Sequence, residues 1–249
     1  MATLIRRIEE LSLNAWPCLR QIVHDGWLLR FADGYTGRSN SVQSLYEGEA
    51  DVRAKIEFCE QAYVRLGIPC LFRMTEAARP AGLDALLDSL GYHAFNQTSV
   101  QVLDLAGGDA GDSNNDVRVY DGPHDAWLRP LVDFRSIEQR HVPTLRAILH
   151  AIALPARYLT VVEGDEVLAC GLAVLERPWA GIFDIVTRED RRGRGHGTRV
   201  MRALLAWAGR EGATRAYLQV MKQNEPALRL YERLGFREAY AYWYRVKRK

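Results

Sequence analysis

Cysteine is scarce and shows no pairing pattern: Cys18, Cys59, Cys70 and Cys170 form no C-x-x-C and sit in apolar or helical surroundings. That excludes a disulfide scaffold or a zinc ribbon and predicts reduced thiols in a cytoplasmic protein. No run of about 18 apolar residues occurs, so no membrane-spanning helix is expected. Met1 to Leu13 carries Arg6, Arg7, Glu9 and Glu10 and lacks the apolar core of a secretion signal. His24, His93, His124, His141 and His150 are scattered, with no pair at ligand spacing in a matching context, and no metal is expected. Net charge is only +2, which gives no chain-wide case for nucleic acid, so any anion site must be local. Lysine occurs only at Lys55, Lys222, Lys247 and Lys249; the arginine excess reads as genome bias. What remains is an ordinary globular composition, 48% hydrophobic and 26% charged over 249 residues. That length allows one large domain or two small ones.

The most informative stretch is Arg192-Gly193-Arg194-Gly195-His196-Gly197, between a strand-like run (Gly181 to Thr187) and a helical run (Thr198 to Arg210). Glycines admit positive φ and close ligand approach. The free N–H groups of a helix's first turn attract anionic oxygens, and arginines add charge-assisted contacts. The pattern is that of a phosphate cradle.

In chain order, residues 4–13 have helical spacing and stop at Pro17. Trp27 to Phe31 reads as a strand, Ala32-Asp33-Gly34 as a turn and Tyr35 to Leu45 as the returning strand. Asp51 is a candidate N-cap for a helix ending at Gly67. A strand at Pro69 to Met74, a helix at Leu83 to Leu90 and a strand at Thr98 to Leu105 follow. The small polar run 106–115 is the best linker, placing a domain boundary between residues 112 and 113. Beyond it come the strand Val117 to Tyr120, helices near Asp125–Asp133 and Val142–Ala153, and a hairpin about Gly164-Asp165. After the glycine loop and its helix come a strand at Ala216 to Val220, a helix at Glu225 to Leu234 capped by Gly235, and an alternating strand from Arg237 to Arg245.

The halves repeat. Gly67 and Gly91 lie 24 residues apart, Gly212 and Gly235 23 apart, and each interval runs strand, loop, helix, Leu-Gly-aromatic, strand. Where the second copy has its glycine loop, the first has Glu47, Gly48, Glu49 and Asp51, which would repel a polyphosphate. This predicts a duplication whose first copy, residues 1–112, lacks an anion site.

A dinucleotide fingerprint would need an acid where Gly212 lies, and a Walker loop would need a Lys after its glycines. Arg192-x-x-Gly195-x-Gly197 instead resembles the R/Q-x-x-G-x-G/A coenzyme loop of the acyl-CoA N-acyltransferase (GNAT) superfamily. Asn224-x-x-Ala227-x-x-x-Tyr231-x-x-Leu234-Gly235-Phe236 is similar to its second conserved segment. The resemblance covers roughly Val117 to Arg245 and makes residues 113–249 the expected catalytic domain. It implies a fold of two GNAT-like α/β (α+β) units with mixed, mostly antiparallel sheets flanked by helices. It also implies acetyl-CoA as co-substrate and direct transfer to a primary amine of a small molecule or peptide.

By the same resemblance, amides of Arg192, Gly193, Arg194, Gly195, His196, Gly197 and Thr198 would hold the pyrophosphate. Ile185, Val186 and Thr187 would pair with the pantetheine arm, Asn224 would contact it, and Tyr231 would protonate the leaving thiolate. Asp184, on the strand before the loop, is the candidate base, with Glu176 a weaker one. Members carry one more strand than the second half supplies, so the N-terminal half is expected to cover that edge and form one rigid body with it. Leu87 stands where Tyr231 does, so the first copy also lacks the acid. A catalytically silent acyl-CoA-binding or regulatory protein is the alternative. His196 is expected as an exposed loop side chain. Tyr240, Tyr242 and Tyr244 would line an acceptor pocket or simply a half-buried sheet, and Arg38-Ser39-Asn40-Ser41 would reach the acceptor or be a plain polar hairpin. The arginines from 188 to 202 lack interleaved aromatics, so no nucleic-acid partner is expected.

Overall fold

The computed structural model describes residues 1–105 and 116–247; the expected linker 106–115 and the 112/113 boundary lie outside the described residues. The helices are α1 (Ala2–Ala15), α2 (Val52–Val64), α3 (Leu83–Ser89), α4 (Asp125–Phe134), α5 (Val142–His150), α6 (His196–Arg210) and α7 (Glu225–Arg233). The first strands are β1 (Arg20–His24), β2 (Trp27–Phe31), β3 (Val42–Gln43), β4 (Leu71–Met74) and β5 (Tyr92–Asp104). Then come β6 (Val117–Tyr120), β7 (Ala156–Glu163), β8 (Glu166–Glu176), β9 (Trp179–Thr187), β10 (Arg215–Met221) and β11 (Arg237–Lys247). Packing divides the chain into two units. The first is Met1–Val100 with Met221–Gln223 and Ala239–Lys249; the second is Gln101–Val220 with Asn224–Glu238.

In the first unit the strands run in the order β1-β2-β3-β4-β11-β5. β1, β2 and β3 are antiparallel, and β3 is parallel to β4 across the crossover helix α2. The hairpin differs from the one expected at Ala32–Gly34. It joins β1 to β2 through Asp25-Gly26, whose φ values of 44° and 83° are those of a two-residue hairpin turn. The returning strand shrinks to Val42–Gln43 because Asn40 satisfies the neighbouring backbone instead of a ladder. Its carboxamide oxygen accepts from the N–H groups of Ala32 and Gly34, and its nitrogen donates to the carbonyls of Ala32, Tyr35 and Thr36. Ser39, Asn40 and Ser41 are buried, and Arg38 lies 4.2 Å over the Trp16 ring, so this polar segment braces the unit from within.

The first unit's polar centre is a buried ion pair. Arg73 Nε is 2.5 Å from Glu9 Oε2 and its second nitrogen 2.8 Å from Oε1, and the side chains are 4% and 2% exposed. The tyrosine face belongs here. Tyr240 donates its hydroxyl to Glu9 Oε1 at 2.6 Å, and the Arg73 guanidinium lies 3.5 Å over the Tyr242 ring.

In the second unit the order is β5-β10-β9-β8-β7-β6, with β5 represented by Gln101–Asp104. β6 to β9 form an antiparallel meander, and β9 is parallel to β10 across α6. Val200, Met201, Leu204, Trp207 and Ala208 of α6 pack on Val161, Ala169, Ala173 and Ile182 of the sheet. Burying each large apolar side chain there contributes about 1.5–3 kcal/mol. The units repeat one order of elements, β1-β2-β3-α2-β4-α3-β5 and β7-β8-β9-α6-β10-α7-β11, as the expected duplicated α/β architecture requires.

Removing one member of the Glu9–Arg73 pair strands the other charge in the core. Arg73→Met is expected to cost about 3–5 kcal/mol, read as a lower urea midpoint, and Glu9→Leu/Arg73→Met to recover at least half of it.

Candidate active site

β9 leaves its parallel partner early. It pairs with β10 from Arg215↔Trp179 to Leu218↔Ile182 and no further, so past Ile182 the main-chain groups on the β10 side of β9 are not in that ladder, while Phe183, Val186 and Thr187 keep their pairing with β8. On its other side β8 shifts register between Cys170 and Leu172, a bulge that sets Gly171 against Asp184 and Ile185. Asp184 carries the bulge at φ 53°, a left-handed conformation that Asp adopts more readily than branched residues. Two contacts lock the arrangement. Trp127 Nε1 donates to the Gly171 carbonyl at 3.0 Å. A Cβ at Gly171 would sit 2.5 Å from Ile185 Cδ1 and 2.6 Å from Val200 Cγ1, so only glycine lets α6 pack this close.

Past Thr187 one 3-10 turn (Glu189–Arg191) leads to Gly193 and Gly195, whose φ values of 76° and 85° swing the chain into α6. Gly195 is the N-cap, and among the described residues no side chain caps the helix. Two other helices show what is missing. Asp51 caps α2, accepting from Arg53 N and Ala54 N at 3.0 Å, and Asn224 caps α7, accepting from Ala227 N at 3.3 Å. Among the described residues the first-turn N–H groups of α6 are thus without a side-chain cap, which makes that end suited to an anion. Arg192 and Arg194 beside it are exposed, Arg192 lying 3.5 Å from the Glu189 carboxylate. Arg188 and Arg191 are held by Asp190 and Glu166, and Arg199 is held by Asp116. A Cβ on Gly197 would lie 3.4 Å from Leu230 Cδ2 and 3.5 Å from Thr187 Oγ1, so the start of α6, the end of β9 and α7 meet here. Ile185, Val186, Thr187, Gly197 and Thr198 are half-buried.

His196 departs from expectation. As the first residue of α6 it is 9% exposed, with Nδ1 buried and, among the described residues, unpartnered. Burial, with the charges of Arg199, Arg194 and Arg191, pushes its pKa below the usual 6.5, so the ring is neutral at pH 7.

Asp184 is 8% exposed; Oδ1 lies 3.4 Å from an Arg135 guanidinium nitrogen, and Oδ2 is buried without a partner among the described residues. Tyr231, on α7, is 7% exposed and packs edge-on against Phe236. Burial lifts its pKa to about 12, opposed by the Arg135 charge, so the phenol is protonated at neutral pH. Arg135, the C-cap of α4, is therefore the cation felt by both Asp184 and Tyr231. Glu176 stands opposite Trp179, five residues along β9 from Asp184 and so roughly 17 Å away.

In the first unit the matching ground is filled. The Asp25 carboxylate accepts from Glu49 N at 3.0 Å and Ala50 N at 3.1 Å, and Asp51 occupies the end of α2. The Glu49 N–H, then Lys55 and the Ala50 N–H, bring the Asp25 pKa down to about 2. Leu87 is fully buried. Sequence reasoning missed Gly171, Trp127 and Arg135. An isolated glycine within a strand pattern was the signal for the first; the other two gave none.

A family profile described as "Probable histone acetyltransferase Rv0428c C-terminal" matches residues 2–245. The chain is 30% identical over 251 aligned positions to the uncharacterized N-acetyltransferase YobR of Bacillus subtilis (strain 168), covering 98% of this chain and 99% of that protein. A solved GCN5-related N-acetyltransferase from Kribbella flavida superposes with a TM-score of 0.69 at 15% identity, covering 98% of this chain and 95% of that one. A tandem GNAT protein from the clavulanic acid biosynthesis pathway superposes at 0.63 and 12% identity, covering 96% and 86%. At such identities these structures speak for the fold, which is the tandem GNAT fold.

Gly171→Ala is expected to lower the thermal midpoint, overpacking costing about 1–3 kcal/mol, since the atoms it meets belong to packed side chains. The stabilisation from Asp25 is complete above its unfolded pKa of about 3.9 and is lost as pH falls through about 2. The gap in urea midpoint between the wild type and Asp25→Asn is therefore expected to be open at pH 6 and to close progressively below about pH 4.

Proposed function

The chain belongs to the family of the Rv0428c C-terminal region, an acyltransferase family of GNAT fold, and we propose that its second unit moves the acetyl group of acetyl-CoA to a primary amine of a small molecule or peptide. The observation that carries this reading is the uncapped start of α6, behind two left-handed glycines, at the mouth of the β9–β10 cleft. The coenzyme pyrophosphate would lie on the amides from Arg192 to Thr198, with the Arg192 and Arg194 side chains adding charge. The pantetheine arm would run along the free edge at Ile185, Val186 and Thr187 and reach the carboxamide of Asn224, whose oxygen already caps α7. Four free cysteines fit a reducing cytoplasm.

The acceptor arrives as an ammonium ion, and Asp184 takes one proton, directly or through water. The neutral nitrogen attacks the thioester carbonyl, whose oxygen is polarised by main-chain N–H at the bulge. As the C–S bond breaks, charge builds on sulfur. A phenol near 12 does not readily surrender its proton to a thiolate near 8.5, so Tyr231 acts chiefly by donating a hydrogen bond to the sulfur as it leaves. The second proton lost by the nitrogen balances the thiolate, leaving amide, free thiol and one proton released to solvent.

Tyr231→Phe is expected to lower kcat about 10²-fold in a thiol-release assay while acetyl-CoA affinity by calorimetry is unchanged. Gly195→Val, forced into a left-handed backbone, is expected to weaken acetyl-CoA binding about tenfold. Absence of acetyl-CoA binding by the wild type would overturn the reading.

A further inference from the structure

Arg135 and Asp184 stand side by side with opposite charges, and neither is saturated. The Asp184 side chain is 5% exposed and keeps Oδ2 buried without a partner among the described residues, while the Arg135 side chain remains 41% exposed. An orphaned buried carboxylate oxygen marks a missing partner, since leaving it unmet is costly. A guanidinium offers five donors in a planar fork, and a single contact at 3.4 Å leaves most of that fork open.

The backbone holds both groups in place. Asp184 is fixed by the bulge at φ 53°. Arg135 ends α4, where the chain reverses through Ser136 at φ 50°. There Ser136 N bonds to Asp133 O at 3.1 Å and Ile137 N to Val132 O at 2.9 Å. α4 also supplies Trp127, whose bond to the Gly171 carbonyl ties the helix to the bulge strand. One short helix thus sets the bulge and places a cation beside the carboxylate that the bulge presents.

An ammonium ion alone would complete Asp184 and leave Arg135 facing a like charge. A ligand with an ammonium and a carboxylate on the same carbon completes both: its nitrogen meets Asp184 and its carboxylate meets the guanidinium fork. We infer that Arg135 is the anchor for an acceptor carboxylate, and that the acceptors are free amino acids or similar amino carboxylates, whose two charges match the Asp184–Arg135 juxtaposition. This rests on the reading of Asp184 as the amine end of the active site. The same cation lies near enough to Tyr231 to favour charge at the leaving sulfur's end of the site.

The test compares three acceptor sets in a thiol-release assay with acetyl-CoA: free amino acids, their carboxamides and their decarboxylated amines. For the wild-type protein, kcat/KM is expected to be at least about tenfold higher for the free acids, the effect residing in KM, as the loss of one charge-assisted hydrogen bond implies. In Arg135→Gln that ratio is expected to fall towards one, whatever loss is common to all acceptors, and Arg135→Lys should restore part of it. A merely structural role for Arg135 would lower all three sets alike and leave the ratio in place, which would overturn the proposal. So would a wild type that prefers carboxamides or amines, or that binds acetyl-CoA without turning over any free acid. Acetyl-CoA binding by calorimetry checks that each variant is folded. Absence of that binding in the wild type would instead overturn the acetyl-transfer reading itself, and this proposal with it.

Discussion

The parting of β9 from β10 after Ile182↔Leu218 is the constraint on which the second unit's chemistry depends. Had the ladder continued, the groups of Phe183 to Thr187 that face away from β8 would be paired to β10 as well, leaving no open strand edge there. The parting coincides with the bulge at Gly171 and Asp184, so one local irregularity opens the cleft and aims the only carboxylate of that strand. A left-handed non-glycine residue costs on the order of 1–3 kcal/mol. Close packing of α6 on Gly171, with Val200, Met201 and Leu204 buried behind it, offsets that cost. The glycine in β8 and the aspartate in β9 are thus two parts of one device, with Trp127 closing it from α4.

The two units use the same crossover and finish it in opposite ways. At the start of α2 Asp51 answers the amides of Arg53 and Ala54, and Asp25, reaching over from the β1–β2 turn, answers those of Glu49 and Ala50 just before the helix. At the start of α6 the equivalent position is glycine, and the nearby arginines 192 and 194 are exposed. One end is electrostatically complete and the other is not. In the first unit's core the Glu9 carboxylate is likewise answered, accepting two bonds from Arg73 and one from Tyr240.

Much of this was legible because its signals are local. Glycines at positive φ, the Asp51 cap and the Leu-Gly helix ends are read from adjacent residues, and they located the loop, both crossovers and the duplication. Local signals also misled where a side chain outbid the ladder. Asn40 turned an expected strand into a loop, and the Asp25-Gly26 turn was passed over for a weaker one at Ala32–Gly34. His196 was read as an exposed side chain of the glycine loop, yet it is the first residue of α6 and is buried. Arg135 was invisible. It meets Asp184 across 49 residues of sequence, and only the packing of α4 on β8 and β9 brings them together.

The most direct measurement of whether one unit works and the other is plugged is hydrogen–deuterium exchange with and without acetyl-CoA. Protection is predicted over residues 185–198, where the β9 edge and the start of α6 would be covered, with no change over residues 47–54. Protection at 47–54, or none at 185–198 under saturating acetyl-CoA, would contradict it.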